Sequence, residues 1–249
     1  MRYPLAGDII NRVALETGLI TKKLADPFTS DDANMTQLIE LLAIAGQEMV
    51  SMHNWEVLVR NHQIVTQSTD SGDYPLPDNF SHMIDQTGWE RKSRVPLFGP
   101  LSAQDWSYLK GRKLANYTIY ASFRIQQGQF TVFPNDPIGD GWDINFEYIS
   151  RDWVEDSTNP GTFIDTPKTA ADTILYEYQV ISRYLKVKYL MAKNLDATAA
   201  QDDFNQVFMS WTGKDTGAEI LNAGHGGRRY PYLDTYRNTG DSNYGSSFP

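Results

Sequence analysis

Apolar positions repeat with a helical period near the N-terminus of the chain. Residues 5–18 carry one apolar face and end in Gly18, a residue type that commonly terminates helices. Residues 34–55 repeat the pattern over a longer stretch, with Asn34 as the expected N-cap and Gln37 three residues further on. The first face consists of Ile9, Ile10, Val13 and Ala14, and the second occupies positions 38, 41, 42, 45, 49 and 52. We therefore predict two amphipathic helices before residue 56.

The period changes to two after Trp55. Apolar and polar side chains alternate, and glycines and prolines separate the alternating stretches. Gln127 and Gly128 stand between two of these stretches and predict a hairpin turn. A short helix over 102–111, with Ser102 as its cap, interrupts the pattern. The predicted strands lie within 56–67, 86–92, 117–126, 129–134 and 142–153.

Helical spacing returns towards the C-terminus. Residues 171–196 predict a helix of about seven turns, and residues 197–224 predict another after a break near Asp196. The apolar stripe of the first consists of Ile174, Tyr178, Ile181, Leu185 and Lys188/Tyr189. We predict an α+β fold in which helices from 1–55 and 168–222 form a bundle and residues 56–167 form an inserted β-rich domain. Residues 223–249 show neither period and predict an extended tail.

The charge of the chain limits its partners. Lys and Arg number 22 against 31 Asp and Glu, which gives a net charge of −9. Such a surface repels nucleic acid and anionic membranes. The N-terminal residues lack the apolar core of a signal peptide, and no stretch approaches the roughly 18 apolar residues of a membrane span. We therefore expect a soluble protein that is not exported by a classical signal. The absence of cysteine fits a protein made in a reducing compartment, or one stabilised by assembly and not by disulfides.

Motifs of known chemistry are absent from the sequence. The four histidines, His53, His62, His82 and His225, lack the spacing of metal ligands and are expected on the surface or at helix ends. The sequence has no nucleophile elbow and no phosphate-binding loop, and the glycines near His225 follow no predicted strand. We therefore expect no catalytic, cofactor or metal site, and a protein that is not an enzyme.

Two weaker patterns remain. Four acidic residues crowd the end of the last predicted strand. Glycoside hydrolysis needs only two carboxyls at a suitable separation, although a solvated loop is the stronger interpretation. The four acidic residues are Glu147, Asp152, Glu155 and Asp156. The helix over 171–196 carries tyrosines on more than one face, which favours contacts on several sides, as in a subunit of an assembly. These are Tyr176, Tyr178, Tyr184 and Tyr189.

The order of segments over residues 3–222 resembles one protein family. The matching stretches are AGDIINRVALETGL, YPLPDNF, GPLSAQDWSYLKG, FTVFPNDPIGDGWDINFEYISRDW and AAQDDFNQVFMSWTGKDTGAEILNAG. This order is similar to that of the head-to-tail adaptor (head-completion or tail tubular) proteins of tailed bacteriophages, especially short-tailed ones. The resemblance is one of segment order and includes no catalytic signature.

The resemblance implies a structural role in the virion. Adaptors of this family sit beneath the portal ring, commonly as twelve copies, around the channel through which the genome passes. Their partners are the portal, the tail nozzle or tail tube protein, and tail fibres, and they assemble in the host cytoplasm. Twelve chains of −9 carry on the order of −100, which suits a channel that must not adhere to passing DNA.

The tail of residues 223–249 is the expected docking arm for the portal. Arginine offers forked donors to carboxylates, and aromatic side chains act as anchors that lose little rotamer entropy. The candidate portal-binding residues are Arg228, Arg229, Tyr230, Tyr232, Tyr236, Tyr244 and Phe248. The segment carries +1, from three arginines less two aspartates, against −10 for the rest of the chain. We expect it to become ordered when it binds.

Two alternatives stay open. Some adaptors of this family have been credited with peptidoglycan hydrolysis, which would assign a muramidase-like role to Glu147 and a neighbouring carboxylate. A carbohydrate-binding tail module would use Trp142 and Trp153 as stacking platforms. The long tyrosine-rich helix pair disfavours this module, because sugar stacking does not need it.

Overall fold

The computed structural model describes residues 3–111, 121–133 and 141–215, and within them it confirms the α+β fold. Five α-helices span α1 Ala6–Glu16, α2 Ala33–Met52, α3 Ala103–Gly111, α4 Tyr178–Ala192 and α5 Thr198–Asp215. Short 3₁₀ turns occupy Pro27–Thr29 and Glu56–Leu58. The longer strands are β1 Val59–Val65, β3 Phe80–Met83, β6 Ser122–Gln126, β7 Gln129–Phe133 and β8 Asp143–Ser150. The shorter ones are β2 Asp73–Pro75, β4 Trp89–Glu90, β5 Val95–Pro96, β9 Val154–Glu155, β10 Phe163–Ile164 and β11 Thr173–Ile174.

The described chain divides into two compact units. Residues 3–59 and 149–215 form the helical unit, and residues 60–111, 121–133 and 141–148 form the sheet unit. The strands β9, β10 and β11 belong to the helical unit, although the sequence pattern suggested a β-rich block that extends to residue 167. These three strands form one small sheet, and the backbone of Leu5, just before α1, adds an isolated bridge to Thr173 of β11. The start of the chain is thereby tied to the segment that leads into α4.

Helix α4 is the centre of the helical unit, because α1, α2 and α5 all pack against it. The predicted face of α1 is confirmed, since Ile9, Ile10, Val13 and Ala14 are fully buried. In α2 the prediction is confirmed in part. Leu38, Leu42, Ala45 and Met49 are buried, whereas Met52 is 42% exposed at the end of the helix.

Trp153 fills the space between α2 and the segment before α4. Its ring stacks on Tyr176 at 5.6 Å, and both side chains are fully buried. Gly46 makes this possible, because a Cβ atom there would lie 2.1 Å from Cζ2 of Trp153. The Tyr176 hydroxyl donates a hydrogen bond to the Gly46 carbonyl at 3.0 Å. The segment after β8, the middle of α2 and the segment before α4 therefore meet at this one contact.

The sheet unit is held together by stacked phenylalanines. One sheet has the order β1-β8-β4-β5 with β3 also paired to β8, and a second has the order β2-β7-β6. Phe130 of β7 stacks on Phe123 of β6 at 4.7 Å and on Phe146 of β8 at 4.9 Å, so the two sheets share one core. Offset aromatic pairs of this kind contribute beyond their buried area.

The turn between β6 and β7 confirms the predicted hairpin. Gln126 pairs with Gln129, and the two residues between them have φ values of +51° at Gln127 and +73° at Gly128. Two successive positive φ values define a type I′ turn, whose twist matches that of the flanking strands.

Two predicted helix starts are wrong. The N-cap of α2 is Asp32, whose carboxylate accepts the Asn34 amide N–H at 2.8 Å, and not Asn34. The helix predicted from residue 171 begins at Tyr178, because Thr173 and Ile174 pair with β9 as strand β11. Periodicity could not detect this pairing, which is a tertiary contact. For α3 the predicted cap is confirmed, as Ser102 Oγ accepts the Asp105 N–H at 3.1 Å.

Gly46→Ala is expected to lower the free energy of unfolding by about 1–3 kcal/mol, because the added methyl group overlaps the buried Trp153 ring. Chemical denaturation followed by tryptophan fluorescence measures the loss. Gly213→Ala in α5 is the matched control, because a Cβ there meets nothing within 4 Å. We expect that control to be neutral or stabilising by up to about 1 kcal/mol. Equal effects of the two substitutions would contradict the packing argument.

Asp172 generates a second prediction. Its buried carboxylate accepts the backbone N–H groups of Ser157, Lys168 and Thr169 and the hydroxyls of Ser157 and Thr169. Burial alone would raise the pKa of Asp172, but these hydrogen bonds outweigh it and lower the pKa to about 2.

Because the pKa of Asp172 is lowered on folding, its contribution of about 2 kcal/mol is complete above about pH 5 and is lost as the pH falls towards 2. Asp172→Asn is expected to remove this part of the acid dependence and to destabilise the protein at pH 7. Urea denaturation between pH 2 and pH 7 measures both effects. Asp31→Asn, at an exposed position, serves as the control and should keep the acid dependence.

Candidate functional site

The predicted portal-binding residues lie outside the described residues. They are Arg228, Arg229, Tyr230, Tyr232, Tyr236, Tyr244 and Phe248, all beyond the end of α5 at Asp215. His225 and residues 216–224 of the last predicted helix also lie outside them. In sequence, the described surface closest to these residues belongs to the helical unit, whose helix α5 ends at Asp215.

Three histidines fall within the described residues. His53 is the C-cap of α2, as predicted for a helix-end histidine. His62 on β1 and His82 on β3 are half-buried, and burial lowers the pKa of both. Among the described residues, no group of three or more histidine, aspartate or glutamate side chains is arranged to hold a metal ion.

Two of the clustered carboxylates hold a turn of the backbone. Asp156 accepts the side-chain amide of Asn159 at 3.1 Å and the N–H of Thr158 at 2.7 Å, and these bonds lower its pKa. Glu155 accepts the N–H of Gly161 at 3.1 Å. A general acid for glycoside hydrolysis needs a raised pKa, which Asp156 does not have. Glu147 is exposed on β8, and its backbone bonds to Ile84 and Thr87.

The tryptophans named as sugar platforms have structural roles. Trp153 is fully buried beneath Tyr176 and has no face available to a sugar, so its assignment as a platform is wrong. Trp142 is half-buried and packs against the phenylalanine core of the sheet unit.

The tyrosines of the α4 region serve helix packing. Tyr176, Tyr184 and Tyr189 are buried, and Tyr178 is half-buried. The Tyr184 hydroxyl donates to the carboxylate of Glu48, which also pairs with Lys188 at 2.5 Å. Burial, together with this hydrogen bond, raises the pKa of Tyr184. The network joins α2 to α4 through one carboxylate.

Helix α5 packs mainly against α4 and buries few of its own side chains. Phe204 is its one buried residue and stacks on Tyr184 at 4.6 Å. Phe208 meets Trp55 edge-on at 6.0 Å, and Arg183 of α4 pairs with Asp203. The outer side carries apolar surface, since Met209 is 73% exposed.

The C-terminal end of α5 is fastened by Asp215. Its carboxylate accepts the Glu56 N–H at 3.0 Å and lies 3.4 Å from Nε2 of His53. This contact fixes the position of the end of α5, eight residues before the segment predicted to dock.

Within the described residues, two recesses border the helices of this unit. The larger, of about 260 Å³, lies among α1, α4 and α5, and its charges are paired within it. Glu16 pairs with Arg12 and with Lys186, and Arg183 pairs with Asp203. The smaller, of about 110 Å³, we call the tryptophan recess. It is lined by Tyr3, Trp55, Val57, Leu175, Glu177, Trp211, Lys214 and Asp215.

Both recesses are smaller than the roughly 300–1,000 Å³ typical of small-molecule sites. Their size suits protein side chains. The sequence did not reveal the tryptophan recess, because its lining comes from four separate stretches of the chain.

Comparisons with known proteins add no relative. A scan against protein-family models gives no match, and a search of curated proteins gives none either. Within the described residues, no helix is long and apolar enough to cross a membrane.

Phe204→Ala is expected to lower the free energy of unfolding of the full chain by about 3 kcal/mol, because it removes the one buried side chain of α5. Hydrogen exchange should show the loss most strongly in α5 itself. Met209→Ala on the exposed side of the same helix is the control and should change stability by less than about 0.5 kcal/mol. Unchanged protection of α5 in Phe204→Ala would show that other contacts hold the helix.

Proposed function

We propose that this chain is a structural head-to-tail connector of a tailed phage. It forms a ring beneath the portal, with twelve copies as in other adaptors of this family, and the ring extends the DNA channel. The ring provides the attachment site for the tail nozzle or tail tube protein and for tail fibres. The genome passes through without specific binding. The protein is a virion component at the head–tail interface and is assembled in the host cytoplasm.

The segment order over residues 3–222 carries the proposal. The fold is compatible with it in one respect, because helices from both ends of the chain pack into one unit and the strand-rich residues 60–148 lie between them in sequence. Adaptors of this family pair a helical bundle with a β-rich domain. The described chain thus has the class of architecture that the proposal requires.

The composition is the second support. The body of the protein is acidic, whereas residues 223–249 carry +1. A cationic, tyrosine-rich segment on an acidic body can bind carboxylates of a neighbouring ring while the bodies repel DNA. Each arm binds weakly by itself, and a ring of arms adds avidity.

Deletion of residues 223–249 is expected to abolish capture of the protein by its portal ring, because the candidate anchors are all removed. Sedimentation or electron microscopy of the mixture measures capture and ring formation. Arg228→Gln with Arg229→Gln should weaken capture at least about thirty-fold, the effect of one interface hot spot of about 2 kcal/mol. The control, Asn238→Ala with Thr239→Ala and Ser242→Ala, changes the same segment without touching an anchor.

Unchanged capture by the deleted protein would overturn the docking role of the arm. Absence of a ring on the portal with the intact chain would overturn the connector function itself. Cell-wall clearing that disappears in Glu147→Gln would favour the muramidase alternative instead.

A further inference from the structure

The tryptophan recess has the chemistry of a receptor for a cationic side chain. Trp55 and Trp211 supply aromatic surface, and Glu177 and Asp215 supply carboxylates. Lys214 already lies 4.6 Å from the centre of the Trp211 ring, which shows that a cation sits favourably against this indole. The carboxylates of Glu177 and Asp215 outnumber the single ammonium group of Lys214, so the lining carries a net negative charge.

The Glu177 carboxylate is a hydrogen-bond acceptor that has no partner among the described residues. Glu177 is the N-cap of α4, yet its side chain makes no capping hydrogen bond. Among the described residues, its carboxylate forms no hydrogen bond or ion pair, whereas Asp215 is engaged by Glu56 and His53. A planar guanidinium can stack on an indole and donate to a carboxylate at the same time. A recess of about 110 Å³ accommodates one such end group and little more.

The larger recess lacks this property. Its cations and carboxylates pair with one another, so a charged ligand would have to displace an existing ion pair. The tryptophan recess is therefore the better candidate for binding a charged group.

The chain itself supplies a suitable ligand. Residues 223–249 contain Arg228, Arg229 and Arg237 and carry a net charge opposite to that of the recess. The described chain ends at Asp215, which lines the recess, and twelve residues separate it from Arg228. At about 3.4 Å per residue that stretch can span roughly 40 Å. An attached ligand of this kind acts at millimolar effective concentration.

We propose that an arginine of the C-terminal segment 223–249 binds in the tryptophan recess of its own chain, with its guanidinium against Trp211 and the Glu177 carboxylate. The contact holds the segment on the helical unit while no other partner engages it. A partner that takes up the same arginines competes with the recess. The inference does not depend on the portal, since recess and portal are separate partners of one segment.

Nuclear magnetic resonance of the full-length chain tests the contact. We expect nuclear Overhauser contacts between the side chain of one arginine and the ring protons of Trp211. The Trp211→Phe variant assigns the ring signals, and the single variants Arg228→Gln, Arg229→Gln and Arg237→Gln identify the arginine. Glu177→Gln should lower the bound-to-free ratio of the segment about ten-fold, the effect of one charge-assisted hydrogen bond. Glu40→Gln, which removes the same charge from an exposed position on α2, should leave it unchanged.

The proposal would be overturned by the absence of a contact at Trp211, by contacts that survive the combined loss of the three arginines, or by equal effects of Glu177→Gln and Glu40→Gln. A sample that mixes isotope-labelled with unlabelled chains separates the two sources of the segment. Contacts between labelled and unlabelled chains would show that a second copy supplies the arginine and would overturn the same-chain arrangement. Portal capture of these variants is a separate measurement, so loss of capture with intact Trp211 contacts removes only the proposed function.

Discussion

The helical unit depends on the contact between Trp153, Gly46 and Tyr176. The indole occupies a position that any side chain larger than hydrogen at residue 46 would overlap, and Tyr176 closes the stack from the other side. Trp153 follows the end of β8, Gly46 lies in the middle of α2, and Tyr176 precedes α4. A close-packed core transmits a change at such a point, because few voids exist to absorb it. Because Tyr176 stands two residues before α4, this contact helps to set where α4 begins against α2.

Local signals predicted the parts of the fold that depend on neighbouring residues. The face of α1, the Ser102 cap and the type I′ turn at Gln127 and Gly128 all follow from a few adjacent positions. Strand β11 was not predictable in this way, because Thr173 and Ile174 are apolar-patterned like the helix that follows and become a strand only by pairing with Glu155 and Val154. The burial of Trp153 likewise depends on a glycine more than one hundred residues earlier.

The functional surface was predictable to a smaller degree. Composition singled out residues 223–249 as a positively charged segment of an acidic chain only through their arginines, and it offered no sign of a receptor on the rest of the protein. The tryptophan recess arises where the start of the chain, the end of α2, the entry to α4 and the end of α5 converge. Each of these residues has an ordinary local role, and their joint chemistry exists only in the folded unit. The recess could not be predicted from the sequence because its lining residues are far apart along the chain, although their residue types are ordinary.

The division of the helical unit between two distant stretches has a consequence during synthesis. Residues 60–148 are continuous in sequence and can form their own contacts as soon as they are made. Helices α1 and α2 leave the ribosome first, yet their partner α4 begins only at Tyr178. Helix α1 can pack on α2 early, but it stays without its largest partner, α4, while the whole intervening block is translated. The helical unit therefore reaches its final packing only after α4 has been made.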